Sequence, residues 1–460
     1  MHFTQYYLDC LSQASYLIGD ETTGRAVVVD PRRDIQEYLA DADAAGLRIE
    51  LIIETHFHAD FLSGHLELAE ATGAWIGYGD AATTEFPSRA LADGERIVLG
   101  DVVLEIMATP GHTPESISVV VHEHADDEVP YGVLTGDALF IGDVGRPDLL
   151  ASIGFTADEL GRALYDSVQR KLMGLPDEVR VFPAHGAGSA CGKNLSTELS
   201  STIGRERTFN YACQPMSQDQ FLAVVTAGQP SAPDYFVYDA VLNRKQRDVL
   251  PADHAIPALD VDGVRAAIAA GAIVVDTREA QEYSTGHLVG SINIPHDGRF
   301  AETAGMVLEH DAAIVVVAPA GSEQEAATRL ARIGFDGAVG YLPLDEESFV
   351  ALGDDVARAS RLTAPALDEV LAAGEAWVVD VRNIGEREEG AIDGTAHIPL
   401  AELPRRLGEV PTDRPVVVHC AGGWRSSVAA SYLRRAGFTD VSDLAGGYAA
   451  WTAMHAPVAS

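Results

Sequence analysis

The stretch from Thr55 to His65 carries three side chains suited to metal binding at alternate positions. His56, His58 and Asp60 follow the apolar run Leu51–Ile53, where a buried strand is expected to end. Alternate residues of an extended backbone point to the same side, so these three side chains should converge. Two imidazoles and one carboxylate that converge predict a metal ion between them.

Three later segments supply further candidate ligands, each after an apolar run and beside a Gly or Pro. They are Thr109–Thr113 with His112, Thr135–Ala138 with Asp137, and Pro183–Gly186 with His185. Ligands on loops that are held by rigid strands are expected in such places. The ordered set is a stronger signal than a single His, which is more often a surface or core residue.

In this order the four segments resemble the metallo-β-lactamase superfamily, whose H-x-H-x-D pattern matches His56, His58 and Asp60. Hydrolases of that superfamily usually have a His at the next position and use it for a second metal, whereas this chain has Phe61. The flanking sequences THFHADFLSGH, TPGHTPESIS and TGDALFIGDVGRPDL resemble the persulfide dioxygenase branch, which uses one Fe(II) held by two His and one Asp.

This resemblance implies that His56, His112 and Asp137 bind one Fe(II) per chain, with zinc as the alternative. Two imidazoles and one carboxylate leave three coordination positions open for a sulfur substrate and oxygen. A hydrolytic zinc site needs only one open position. His58, Asp60 and His185 are expected to hydrogen-bond to the ligands and fix their orientation.

Composition limits the partners of the chain. Its 460 residues have a formal net charge of −37 and only three lysines, Lys171, Lys193 and Lys245. So acidic a surface makes nucleic acid and anionic membranes poor partners. The four cysteines are too widely spaced for a disulfide framework, and the N-terminus lacks a secretory signal. We therefore expect a cytoplasmic protein with free thiols, and we expect it to form a homo-oligomer.

The apolar runs predict an α/β multidomain chain whose first domain spans residues 1–240. Helical stretches such as Ile35–Ala45 and His65–Thr72 separate runs rich in Val, Ile and Leu, as in strands that are covered by helices. These runs are Ala26–Val29, Ile49–Ile53, Val102–Ile106, Ser118–Val121 and Gly132–Leu134. With the resemblance, they predict an N-terminal αββα metallo-β-lactamase sandwich and a linker at 241–257.

The last two hundred residues contain an internal repeat. Asp276 and Asp380 are 104 residues apart, as are Pro295 and Pro399, and both pairs lie in matching sequences. A unit of this size is a small domain. The shared pattern, a strand followed by D-x-R and G-[HA]-x-x-G-[ST]-x-x-I-P, resembles the rhodanese-like α/β domain. It predicts two such domains, at 258–355 and 361–460.

The two copies differ where chemistry is expected. In the second, a strand runs into Cys420 and then Ala421-Gly422-Gly423-Trp424-Arg425, and a helix follows. The glycines let backbone N–H groups converge on a thiolate nucleophile, and Arg425 supplies a cation for an anionic sulfur donor. Gly422, Gly423 and Trp424 are the expected substrate-binding loop, and catalysis is assigned to Cys420 and Arg425.

In the first copy the corresponding segment is Ala318–Glu323, without thiol or arginine, so this domain is expected to be non-catalytic. Phosphatases share the architecture but place five residues between Cys and Arg. This chain places four there, as sulfurtransferases do.

Two further residues have alternative interpretations. Arg146 resembles a feature of the dioxygenase branch and could bind a substrate carboxylate, or it could be an ordinary surface arginine. Cys191 follows His185 closely enough to lie near the metal, or it could be an inert buried thiol.

Together these patterns predict oxygen-dependent oxidation of a low-molecular-weight thiol persulfide to sulfite, coupled to transfer of sulfane sulfur among persulfide, sulfite and thiosulfate through Cys420. A glyoxalase II-like thiolesterase that carries a sulfurtransferase domain is one alternative. A non-enzymatic sulfur carrier is another.

Overall fold

The computed structural model describes residues 1–149, 154–229, 232–251 and 254–456. Parts of the predicted first domain, of the linker and of the last domain therefore lie outside the described residues. The chain divides into two compact units, Met1–His254 and Ala255–Ser460. Within the described ranges every helix is too short or too polar to cross a membrane.

The first unit contains two six-stranded sheets. One has its strands in chain order: β1 His2–Leu8, β2 Gln13–Asp20, β3 Arg25–Val29, β4 Arg48–Ile53, β5 Trp75–Gly79 and β6 Arg89–Leu91. The other has the order β12-β11-β10-β9-β8-β7, from β7 Arg96–Val98, β8 Val103–Ala108, β9 Ile117–His122, β10 Gly132–Gly136, β11 Arg180–Pro183 and β12 Ser201–Thr202. The helices are α1 Gln36–Ala44, α2 His65–Thr72, α3 Ala157–Asp166, α4 Ile203–Phe209, α5 Gln218–Thr226 and α6 Tyr235–Leu242.

Alternation along the strands produces a layered core. In β3, Val27 and Val29 face a cluster that also contains residues of the second sheet, such as Leu104 and Val119. Ala26 and Val28 point the other way, into a cluster with α1 and α2, and a third cluster joins the second sheet to α3 and α5. The predicted αββα sandwich is thereby confirmed.

Parallel strand pairs bring the candidate ligands to one edge of each sheet. Val29 of β3 pairs with Ile53 of β4, so the segments that follow these strands leave the sheet side by side. In the second sheet Gly136 of β10 pairs with Pro183 of β11, which places Asp137 and His185 next to each other.

The second unit contains two rhodanese-like copies with mainly parallel sheets. The first copy has strand order β15-β13-β16-β17, from β13 Ile273–Asp276, β15 Ile292–Asn293, β16 Ile314–Val317 and β17 Ala338–Tyr341, with a small ribbon of β14 His287–Leu288 and β18 Val356–Ala357. The second has the order β19-β23-β22-β20-β21, from β19 Ser360–Leu362, β20 Trp377–Asp380, β21 Ala396–His397, β22 Val416–His419 and β23 Val441–Leu444. The helices of this unit are α7 Val261–Ala269, α8 Ala280–Thr285, α9 Phe300–Val307, α10 Glu323–Ala331, α11 Glu346–Leu352, α12 Ala364–Ala373, α13 Ile384–Glu388, α14 Trp424–Arg435 and α15 Gly447–His455.

The arginine of the D-x-R motif makes the same contacts in both copies. The Arg278 guanidinium binds the carboxylate of Asp276 and donates to the Gly286 carbonyl, at 3.0 Å. Arg382 binds Asp380 in the same way and donates to Gly390 at 2.7 Å. The motif therefore fixes the end of the first strand to a turn 8 residues beyond the arginine.

The two copies contact each other through Asn293, which is fully buried at the end of β15. Its backbone N–H donates to Ser431 Oγ at 2.9 Å, and its Oδ1 accepts from Ser427 Oγ at 2.5 Å. Its amide nitrogen donates to the carbonyls of Asp276 and Arg278. The first copy thus contacts α14, the helix that follows the Cys420 loop.

We expect Asn293→Ala to destabilise the second unit by about 1–3 kcal/mol, because it leaves the Ser427 hydroxyl buried without its acceptor. The measurement is the urea midpoint followed by tryptophan fluorescence, since three of the four tryptophans lie in the second copy. The control Thr285→Ala removes an exposed hydrogen bond on α8 and should stay within about 0.5 kcal/mol of wild type. Equal midpoints for the two variants would contradict the role of Asn293.

Candidate metal centre and sulfur-transfer site

Three predicted ligands converge in the first unit. One donor atom each of His56, His112 and Asp137 lies within 4.8 Å of the others, and all three side chains are buried. Asp137 Oδ2 is 3.7 Å from His56 Nε2 and 3.5 Å from His112 Nε2. Ligand atoms about 2.1 Å from a shared ion are about 3.0–3.4 Å apart, so a small contraction fits them around one metal.

Hydrogen bonds orient both imidazoles. His112 Nδ1 donates to the Arg146 carbonyl at 3.0 Å. His56 Nδ1 donates to Thr55 Oγ1 at 2.9 Å, since that hydroxyl gives its own proton to Asp30. Burial lowers the pKa of both His56 and His112. Each ring is therefore neutral and presents the Nε2 lone pair to the centre of the cluster.

One carboxylate oxygen of Asp137 is hydrogen-bonded to His185. Its Oδ1 lies 2.7 Å from His185 Nδ1, and His185 Nε2 lies 2.8 Å from Asp60 Oδ2. Burial opposes the charged form of His185, but the charges of Asp137 and Asp60 raise its pKa well above the ordinary value. Burial likewise opposes ionisation of Asp137, yet the neighbouring histidines lower its pKa.

Two buried atoms of this cluster have no hydrogen-bond partner, His56 Nε2 and Asp137 Oδ2. A buried polar atom without a partner is costly, and a bound cation removes that cost for both. The donor set, its geometry and its unsatisfied atoms therefore fit a metal ion, which would be held by His56, His112 and Asp137.

His58 lies beside this cluster but faces two further carboxylates. Its Nε2 is 3.1 Å from Asp30 Oδ1 and 3.5 Å from Glu54 Oε2. Burial opposes its charged form, but Asp30 and Glu54 raise the pKa of His58 to about 10. The buried ring of Phe61 packs against it, with centroids 4.3 Å apart. A donor atom of His58 still lies within 4.8 Å of donor atoms of Asp60 and His185.

Sequence reasoning missed the residues that support this loop. Asn243, at the end of α6, donates to the carbonyls of His58 and Phe61 at 2.8 and 2.9 Å and accepts from the backbone N–H of Ser63. Arg247 pairs with Glu67. Both Asn243 and Arg247 fall in the predicted linker, 241–257, and their polar sequence gave no sign of these contacts.

Asp30 and Glu54 were also missed, although a signal existed. Both follow apolar runs that form neighbouring parallel strands, so their side chains had to emerge at the same edge. Asp30 has φ of +52°, a strained conformation for a residue other than glycine, and such strain concentrates at functional sites.

The remaining predicted residues of the first unit lie around the cluster. The Arg146 guanidinium is buried and bonds to both oxygens of Asp148 at 2.7 Å, so its charge is balanced within the protein. Gly145 has to be glycine, because a Cβ there would lie 2.0 Å from the Asp137 carbonyl oxygen. Cys191 is buried near Asp137 and His185, and burial together with nearby carboxylates raises its pKa.

The predicted loop of the second rhodanese-like copy surrounds the Cys420 sulfur. The Gly423 backbone N–H donates to Cys420 Sγ at 3.1 Å, and Ser426 Oγ lies 3.6 Å from the same sulfur. Gly423 has φ of +92°, which turns the chain into α14. Trp424 and Arg425 begin that helix, and both terminal nitrogens of Arg425 bond to Glu386. The exposed backbone of Gly422 completes the loop.

The equivalent loop of the first copy contains a carboxylate instead of a thiol. Ala318 takes the place of Cys420, and the Gly321 backbone N–H donates to Glu323 Oε2 at 2.8 Å. Glu323 is the first residue of α10, and Arg425 is the second residue of α14, so the two side chains hold similar positions in the two copies. The loop of the first copy therefore already binds an anion of its own.

Comparison with known protein families identifies the same three domains that the structure contains. Residues 8–185 match the family model of the metallo-beta-lactamase superfamily, and residues 260–345 and 363–454 match the rhodanese-like domain. The fold and the metal loop together define the first unit as a metallo-β-lactamase-type domain, which implies a metal site.

Individual relatives narrow the class. The chain is 30% identical over 200 residues to the mitochondrial persulfide dioxygenase ETHE1 of Bos taurus, across 43% of this chain and 69% of that protein. The human protein of the same name is 30% identical over 201 residues, with the same shares covered. A crystal structure described as a metallo-beta-lactamase from Staphylococcus aureus is 34% identical, with a TM-score of 0.67, and the match covers 75% of this chain and 99% of that one. The chain belongs to the ETHE1-like persulfide dioxygenase family of the metallo-β-lactamase superfamily and carries two tandem rhodanese-like domains.

We expect His112→Ala to abolish metal binding and His58→Ala to reduce it only in part. His112 Nε2 lies 3.5 Å from Asp137 Oδ2 in the cluster, whereas His58 Nε2 faces Asp30 and Glu54. The measurement is the metal content per chain of anaerobically purified protein by mass spectrometry. The control is His122→Ala, at the far end of β9 from the loop of His112, which should retain full metal. A metal-free His58→Ala beside a fully loaded His112→Ala would overturn the ligand assignment.

Proposed function

We propose that the first unit is a persulfide dioxygenase with one Fe(II), held by His56, His112 and Asp137. The convergence of these three side chains around unsatisfied ligand atoms is the observation that carries the proposal. Two imidazoles and one carboxylate are the ligand set of oxygen-activating non-haem iron. Phe61, in place of a further His, favours one metal over two. The names of the 30% identical relatives support the same activity.

The proposed reaction converts one persulfide, one dioxygen and one water into a thiol, sulfite and two protons. A bound Fe(II) supplies oxygen activation and Lewis acidity. Burial keeps His56 and His112 neutral, and the hydrogen bonds that their Nδ1 atoms donate leave Nε2 of each ring without a proton. His185 holds a proton between Asp60 and Asp137, which fixes the orientation of the Asp137 carboxylate.

We further propose that the second rhodanese-like copy transfers sulfane sulfur through Cys420. The thiolate attacks the outer sulfur of a donor, the donor's S–S bond breaks, and the leaving group departs with the electron pair. Sulfite then attacks the Cys420 persulfide to give thiosulfate and regenerates the thiolate. Thiosulfate and a thiol run these steps in reverse. The N–H of Gly423, directed at Sγ, supports the thiolate.

We expect Cys420→Ser to abolish sulfur transfer while leaving metal content and the initial rate of sulfite formation nearly unchanged. The thiol belongs to the second compact unit, and the metal cluster belongs to the first. The measurement is oxygen uptake with separate assays of sulfite and thiosulfate on a low-molecular-weight persulfide. Undiminished thiosulfate formation would reject Cys420 as the carrier. Thioester hydrolysis without oxygen uptake would instead favour the thiolesterase.

Installing a thiol in the first copy should not rescue the variant. In Ala318→Cys combined with Cys420→Ser, we expect no sulfur transfer, because the Glu323 carboxylate occupies the Gly321 N–H and repels an anionic donor. The measurement is thiosulfate formation relative to Cys420→Ser alone. Recovery of more than a few per cent of wild-type transfer would show that the missing thiol is the sole defect of this copy.

A further inference from the structure

The cation of the Cys420 loop is paired within the protein. Arg425 donates from two nitrogens to the two oxygens of Glu386, at 2.7 and 2.6 Å. Burial opposes the charged form of Arg425, but Glu386 and the nearby Cys420 raise its pKa. The side chains of Arg425 and Glu386 are 24% and 34% exposed, so a substrate can reach the pair from solvent.

The carboxylate of Glu386 is fixed from its other side as well. Glu386 lies in the first turn of α13, and one of its oxygens accepts from the backbone N–H of Asn383 at 3.0 Å. Burial opposes ionisation, but the hydrogen bond and charge of Arg425 lower the pKa of Glu386. Glu386 is therefore an ionised group whose position does not depend on Arg425 alone.

Three other arginines near this loop are paired with carboxylates of the protein. Arg361 pairs with Asp443 and donates to the Gly423 carbonyl at 3.3 Å. Arg382 binds Asp380 and the carbonyls of Glu386 and Gly390. Arg387 binds Asp380 and, through the same guanidinium, the main chain and hydroxyl of Thr395. The guanidinium groups of Arg382 and Arg387 cannot bind a sulfur donor without loss of their bonds to Asp380. Each of these arginines is paired with a carboxylate, and Arg425 with Glu386 is the ion pair on the helix that directly follows Cys420.

We infer that Glu386 determines the charge selectivity of the Cys420 site. The inference deepens the sulfurtransferase activity proposed above and rests on it. Because Glu386 neutralises Arg425, the site binds a dianionic donor such as thiosulfate more weakly than it would if Arg425 were unpaired. It favours a sulfane-sulfur donor whose reacting end is neutral or singly charged, which is the chemistry of a low-molecular-weight persulfide.

Alkylation of Cys420 measures this charge without any sulfur transfer. Iodoacetate and iodoacetamide are of similar size, and the Cys420 thiolate displaces iodide from each of them. Only iodoacetate is an anion. The rate of modification of Cys420 by iodoacetate is divided by the rate with iodoacetamide, and both are followed by mass spectrometry of the full chain. This ratio reports the local electrostatic potential, because differences in access affect both reagents alike. In Glu386→Gln we expect the ratio to rise about fivefold at low salt, as for removal of one partly screened negative charge. The rise should shrink in 1 M salt.

Matched variants separate charge from structure. Arg425→Gln leaves Glu386 unpaired and should lower the ratio, and the double variant should return close to wild type. Glu388→Gln removes an exposed charge from the same helix and should leave the ratio within about a factor of two. An unchanged ratio in Glu386→Gln, or a shift of equal size in Glu388→Gln, would overturn the inference.

Sulfur transfer supplies the second readout. Glu386→Gln should lower the KM for thiosulfate about fivefold and change kcat less, because the freed Arg425 binds the dianion before reaction. If wild type transfers no sulfur at all, the proposed activity fails while the alkylation ratio still tests the charge assignment. If wild type transfers sulfur and neither ratio nor KM moves in Glu386→Gln, only the inference fails.

Discussion

The metal loop depends on the carboxylate of Asp30, which is not itself among the proposed ligands. Asp30 Oδ1 accepts from the Thr55 backbone N–H at 2.7 Å, and Oδ2 accepts from the Thr55 hydroxyl at 2.8 Å. That hydroxyl in turn accepts from His56, while Oδ1 faces His58. The buried Asp30 carboxylate therefore orients His56 toward the metal position through Thr55, and it contacts His58 directly. The hydrogen bonds of this network help to offset the backbone strain at Asp30, whose φ is +52°.

Much of the fold could be predicted from apolar runs and motif order. Helix α2 has the predicted bounds, and the five predicted strands lie within two residues of the observed ones. The N-terminal hairpin β1–β2 was not predicted, because polar residues such as Gln5, Gln13 and Ser15 interrupt its runs. Their side chains are satisfied by distant partners, for example Ser15 by Tyr38, which periodicity cannot detect.

The candidate ligands were predictable because their order along the chain carries the information. Their supporting hydrogen bonds were not, since Asp30 and Asn243 act across strand pairs and across long separations. Arg146 illustrates the same limit. The alternative of an ordinary surface arginine is wrong, because the side chain is buried against Asp148, whereas contact with a substrate stays a prediction. Comparison of the two rhodanese-like copies revealed which loop lacks the thiol, but not that Asn293 of the first copy contacts α14 of the second.

The position of Asn243 has an evolutionary consequence. The family match ends at residue 185, yet the backbone of the loop that carries His58 and Phe61 is bonded to a side chain nearly sixty residues beyond that limit. A recombination event between these points would join a loop from one parent to a terminal helix from another. The hydrogen bonds to three backbone groups would then have to match by chance. The segment that can be inherited or exchanged as a working module is therefore the whole first unit, with its helical end.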